Sequence, residues 1–225
     1  MVLPAPLLLL ADSRLPAGGH AHSGGLEPAA AAGAVTDVPT LADFLRGRLA
    51  TAGLVTAALA ASACAHAGRM GPKGWAVLDA ETDARMPSPA QRRASRSQGR
   101  SLLRAVRTAA PHPALDALAD LPAPHHPLVL GAAVAAAGGT PAHAASVAAY
   151  GAVTGPASAA VRLLALDPLA VHAALAGLAP QVDAVAAEAA GYADGDPAAC
   201  PAASAPALDV FAELHPRADM RLFES

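Results

Sequence analysis

The segment Ser88-Pro89-Ala90-Gln91-Arg92-Arg93-Ala94-Ser95-Arg96-Ser97-Gln98-Gly99-Arg100-Ser101-Leu102-Leu103-Arg104-Ala105-Val106-Arg107 reads as one long helix. Ser88 is a natural N-cap, and Gln91 completes a capping box. Pro89 stands at the first helical position, where its missing N–H does no harm. Thr140-Pro141 and Asp167-Pro168 repeat this cap-plus-proline start, and Thr40 with Asp43 forms a weaker box. Apolar residues then recur at 3–4 spacing, as in Leu41, Phe44, Leu45, Leu49 and in Leu102, Leu103, Val106. Composition agrees. Of 225 residues 65 are alanine, the best helix former, and only 3% are aromatic. An all-β fold is excluded.

Working outward, helices are expected at 4–10, 26–33, 41–66, 75–85, 89–109, 127–137, 141–165, 168–177, 180–192 and 208–214. The expected fold class is all-α, a single-domain bundle of roughly eight to ten helices over residues 1–225. An irregular N-terminal loop spans 12–25, a second irregular stretch spans 193–206, and a C-terminal tail spans 215–225. No repeat of 20–50 residues points to a solenoid.

Leu49 to Gly68 and Leu121 to Val161 carry no formal charge and are long enough to raise a membrane question. The first is mostly alanine, and the second is broken by Pro127, Gly138-Gly139, Pro141 and Pro156. Both read as buried helices of a soluble bundle without a membrane partner. Pro6 to Leu10 is apolar, but acidic and basic residues follow at once and none precede, unlike a signal peptide. Cys64 and Cys200 are too few for a disulfide framework and suit reduced thiols in a cytoplasmic protein. A net charge of −3 gives no whole-chain attraction to nucleic acid.

Charge is unevenly distributed. Seven arginines and no acid lie between Ala84 and Leu115, whereas seven acids and no base lie between Leu163 and Pro216. Arg92, Arg96, Arg100 and Arg104 make an i, i+4 stripe with Arg93 and Arg107 beside it. Arg96 and Arg100 are therefore candidate contacts for an acidic partner. The alternative is an all-α nucleic-acid-binding regulator that uses the Arg92–Arg107 helix, although the interleaved aromatics expected of one are missing. The single lysine, in Gly71-Pro72-Lys73-Gly74, precedes Trp75 and so excludes a phosphate-binding loop. No nucleophile–base pattern marks an enzyme. His20-Ala21-His22, Cys64-Ala65-His66 and His125-His126 are metal-capable pairs, but a stable site needs three or four converging ligands. The loop Leu15-Pro16-Ala17-Gly18-Gly19-His20-Ala21-His22-Ser23-Gly24-Gly25-Leu26-Glu27 specifies so much backbone that it reads as a binding element.

This loop, preceded by Ala11-Asp12-Ser13-Arg14, resembles the N-terminal signature of the urease accessory protein UreF family. The likeness continues through Gly33-Ala34-Val35-Thr36-Asp37, Arg93-Ala94-Ser95, Gly99-Arg100, His126-Pro127, Gly131, Tyr150 and Ala160-Val161-Arg162-Leu163. It ends at Arg221-Leu222-Phe223-Glu224-Ser225, similar to the family's Arg-Leu-Phe-Arg-Ser. The resemblance implies a non-catalytic, all-α homodimer that binds UreD (also called UreH) and the GTPase UreG and supports nickel delivery to apo-urease. No cofactor would be bound permanently, and nickel would be handled transiently by the complex. The candidate partner contacts are Pro16, Gly18, Gly19, Ser23, Gly25, Glu27, Arg96, Arg100, Tyr150, Arg162, Arg221, Leu222 and Phe223. His20 and His22 stand where the family carries aromatics and are candidates for a passing nickel contact. Asp167-Pro168 and Glu224 also depart from the family pattern. Phe223 near a chain end is either docked on the protein's own core or offered to a partner. Its charged neighbours favour the second, so loss of residues 219–225 is expected to leave folding intact while abolishing capture of UreD.

Overall fold

The computed structural model describes residues 4–69, 71–218 and 221–224. Its elements are α1 (Ala5–Ala11), α2 (Leu26–Ala31), α3 (Val38–Arg48), a π-helical turn (Leu49–Gly53), α4 (Leu54–His66), α5 (Pro72–Ala84) and α6 (Pro89–Ala109). They continue with α7 (Pro113–Ala119), α8 (His126–Ala136), α9 (Pro141–Leu164), α10 (Pro168–Ala190) and α11 (Pro206–Leu214). No strand occurs among the described residues, so the all-α expectation holds. The helix starts follow the caps. Ser88 Oγ accepts from Gln91 N at 3.2 Å, Thr140 Oγ1 from His143 N at 3.3 Å and Asp167 Oδ1 from Leu169 N at 3.1 Å.

Four details differ from the sequence reading. The box that opens α3 is Asp37 with Thr40 rather than Thr40 with Asp43, so the helix starts earlier, at Val38. The helix to His66 is continuous but passes through the π-helical turn. Pro180 does not split α10, because it and Ala176 are exposed and water can take the carbonyl it leaves unpaired. α7 was not expected at all. Its cap is the His112 ring, whose Nδ1 accepts from Ala114 N at 3.2 Å.

A chain so poor in aromatics fills its core by bringing backbones together. Every residue from Ala57 to Cys64 on α4 and from Pro127 to Val134 on α8 is buried. At their crossing, a Cβ on Gly131 would fall inside the Ala60 carbonyl oxygen, 2.7 Å from Ala63 Cβ and 2.9 Å from Cys64 N. α9 and α10 also pack against α4, and Trp75 on α5 is fully buried. Helices 38–66 and 168–190 are both long and apolar enough to cross a membrane; in this fold 67% of the first's apolar window is buried but only 17% of the second's.

Candidate functional site

The glycine-rich loop is ordered by its special dihedrals. Gly18, Gly24 and Gly25 have φ of +77°, +64° and +89°, values that ordinary side chains resist. Gly25 is the N-cap of α2, and the buried Ser23 accepts Glu27 N at 3.1 Å across that helix start. The Glu27 carboxylate therefore projects at a fixed place, and the C-terminal residues come to it. Leu222 N donates to Glu27 Oε1 at 2.7 Å and Phe223 N to Oε2 at 3.1 Å. Glu224 N donates to the Ala21 carbonyl at 2.6 Å. His215 Nε2 sits 3.2 Å from the Phe223 carbonyl and 3.4 Å from Glu27 Oε2. Arg162 on α9 closes the cluster: Nη1 donates to the His20 carbonyl at 3.2 Å, and Cζ lies 4.7 Å from the Phe223 ring centroid.

The two ends of the sequence thus form one clasp. Of the residues singled out above, it joins Ser23, Gly25, Glu27, Arg162, Leu222 and Phe223. The expectation that Phe223 is offered outward is corrected: its side chain is 5% exposed, and it is Leu222, at 68%, that faces solvent. Pro16, Gly18, Gly19 and Arg221 are exposed around the clasp. Tyr150 lies farther along α9 on the wall of an open groove of about 900 Å³ that runs from the loop past α6 and α9. His215 went unnoticed in the sequence, since a histidine in a presumed tail carries no local signal.

The arginine stripe is divided by the fold. Arg96 donates to Ala123 O at 2.6 Å and to Asp79 and Asp83, both at 2.9 Å, so it pins α5 and the α7–α8 loop to α6. The expectation that Arg96 belongs to an unpaired stripe is corrected on that ground. Arg92 caps carbonyls of Met86 and Pro87, and Arg107 pairs with Asp116. Arg100 and Arg104 stay exposed, without an ion pair among the described residues. The continuous stripe that a nucleic-acid reading needs is therefore lost. Arg96→Ala is expected to lower stability by about 2–3 kcal/mol, because Asp79 and Asp83 lose their shared cation. Arg100→Glu should leave the melting temperature within about 1–2 °C while weakening partner capture. Thermal melts of both variants beside wild type check this pair.

Beneath Arg96, the fully buried His125 bridges Ser95 Oγ at 2.9 Å and Asp83 Oδ1 at 2.7 Å. Burial lowers the pKa of His125 despite Asp83, lowers that of His22, and pushes that of His126 down to about 4. These rings are neutral in the folded chain, while in the unfolded chain they take up protons below the ordinary histidine pKa. Stability is then full above pH 6.5 and falls as pH drops from 6.5 towards 4, with His126 alone contributing roughly 3 kcal/mol of that loss. Urea midpoints measured across this window should decline, and His126→Gln should flatten the slope.

His20 is exposed, whereas His22 is 8% exposed with Glu224 Oε2 3.7 Å from its Nε2. No three His, Cys, Asp or Glu side chains converge as a metal set among the described residues. A helical fold whose glycine-rich loop and C-terminal residues close on one another beside an open groove presents the kind of surface found in binding and assembly proteins.

Comparison with known proteins gives that class a family. The UreF family model matches residues 35–179. Urease accessory protein UreF of Mycobacterium sp. (strain JLS) is 49% identical over 219 residues, covering 97% of both chains. Its counterpart in Mycolicibacterium vanbaalenii is 46% identical over 222 residues, covering 98% of both, and that of Mycobacterium tuberculosis is 46% identical over 224 residues, again covering 98% of both. The chain belongs to the UreF family of urease accessory proteins, which are not themselves enzymes.

Proposed function

We propose that this chain acts in the cytoplasm as a homodimeric subunit of a urease-maturation assembly. It binds UreD (UreH) and the GTPase UreG and supports nickel insertion into apo-urease. The observation that carries this reading is a near full-length likeness to proteins named urease accessory protein UreF. The clasp supports it, because a specified loop, Arg162 and a solvent-facing Leu222 are gathered on one face. The outward side of α10, where Leu169 is 80% exposed, suits self-association. Nickel is the cargo of the assembly in this reading, with no ion resident in this chain. His20 and His22 remain candidates for a passing contact.

The test is co-expression with a urease operon lacking its own UreF gene, read as urease activity and as co-purification of UreD and UreG. Restored activity with both partners retained is expected. A folded chain that captures neither partner and restores no activity overturns the reading. Parallel nickel titrations of wild type and a His20→Ala/His22→Ala variant test the passing contact, and equal affinity removes it.

A further inference from the structure

Arg48 is a cation that the fold supplies with only part of a partner set. It closes α3 just before the π-helical turn, and its Nε donates to the Ala152 carbonyl on α9 at 3.1 Å. The helical partner of that carbonyl would be the N–H of residue 156, and Pro156 has none. Arg48 Nε therefore takes the place of a missing backbone donor.

The rest of the guanidinium points elsewhere. A Cβ on Gly24 would lie 3.3 Å from both Cζ and Nη2 of Arg48 and 3.0 Å from Pro156 Cγ, which puts the charged head beneath the Gly24 turn. Arg48 also lines the groove beside Thr56, Val55 and Pro156. Among the described residues no carboxylate reaches ion-pair distance of Arg48, and neither terminal nitrogen makes a hydrogen bond. Arg85, Arg96 and Arg107 each have a carboxylate. Arg48 is half-buried, with one edge of its guanidinium satisfied by Ala152 and the other open to the groove, where an anion can replace water.

We propose that Arg48 holds a carboxylate in this groove, end-on across its two terminal nitrogens. The planar fork matches the two oxygens of one carboxylate, and the nearby apolar wall favours one flat anion over a polyphosphate. Desolvation lowers the Arg48 pKa to about 10, which leaves the side chain charged at neutral pH. The carboxylate comes either from a small free acid or from an acidic side chain of a bound partner, and two arms of one experiment separate them.

Arg48→Gln alone would also strip Ala152 of its donor. The informative pair is therefore Pro156→Ala, which restores a backbone N–H to Ala152, and Arg48→Gln/Pro156→Ala. In the first arm, sodium acetate is titrated against sodium chloride at matched ionic strength, and the melting temperature is followed. A saturable rise in wild type and Pro156→Ala that vanishes in the double variant establishes a small-acid site. Where acetate is inert, the second arm, which rests on the proposed assembly, must show capture of UreD and UreG at least tenfold weaker in the double variant than in Pro156→Ala. Equal behaviour of the two variants in both arms overturns the proposal. Failure of Pro156→Ala itself to capture partners counts against the assembly reading, and the acetate arm then decides alone.

Discussion

Gly131→Ala is expected to destabilise the protein by about 3 kcal/mol, lowering the melting temperature by about 6–12 °C. The helix itself gains from the change, because alanine is favoured over glycine by roughly 1 kcal/mol in a helix interior. Packing reverses the sign. The new methyl group would overlap the Ala60 carbonyl oxygen and press on Ala63 Cβ and Cys64 N, which are backbone or rigid neighbours that cannot rotate away. Relief requires α4 and α8 to separate, and that loosens an interface where both helices are buried along most of their length. Gly177→Ala on α10 is the matched control: nothing lies within 4 Å of its added Cβ. It should be neutral or stabilise by about 0.5–1 kcal/mol. Melts followed by circular dichroism distinguish the two. Equal, small shifts for both would mean that the α4–α8 crossing yields easily, contrary to the close-packed core described above.

Gly131 also marks the boundary of what the sequence makes legible. Caps and N1 prolines act locally, within one turn, and the starts of α6, α9 and α10 were read to the residue from Ser88-Pro89, Thr140-Pro141 and Asp167-Pro168. Features that depend on a distant partner were not. The Arg96 side chain finds its acids on α5, so spacing along α6 alone suggested an unpaired stripe. Pro180 carries a local signal for a break, but α10 packs on α4 and α9 as one helix, and the exposed site lets water take the carbonyl that Pro180 leaves unpaired. α7 escaped because its cap is an imidazole, which is not among the usual capping side chains. The Arg48–Ala152 contact joins residues 104 positions apart, and neither Arg48 nor Pro156 announces the other. For the candidate site, the sequence marked both chain ends as specified, yet it could not say that they meet.

Their meeting has a measurable consequence. Glu27→Ala removes a carboxylate, only 12% exposed, that accepts two backbone N–H groups from the C-terminal residues and faces His215. Each bond to a charged acceptor is worth about 1.5–3 kcal/mol, and Leu222 N is solvent-accessible enough to recover part of its loss. Docking of the tail should therefore weaken by about 2–3 kcal/mol, which is a roughly 30- to 150-fold faster amide exchange at Leu222, Phe223 and Glu224. Phe223→Ala should do at least as much, since it withdraws a buried ring from beneath Arg162. Either change lowers global stability only by the free energy of tail docking, because further weakening releases the tail and leaves the α4–α8 core untouched. Leu222→Ala separates the clasp from its use. The side chain is exposed, so exchange and melting should stay at wild-type values while capture of the UreD-type partner declines. Unchanged exchange in Glu27→Ala would mean that the tail is not held by the loop. Unchanged capture in Leu222→Ala, with Phe223→Ala defective, would assign partner contact to the loop that the tail braces rather than to the tail itself.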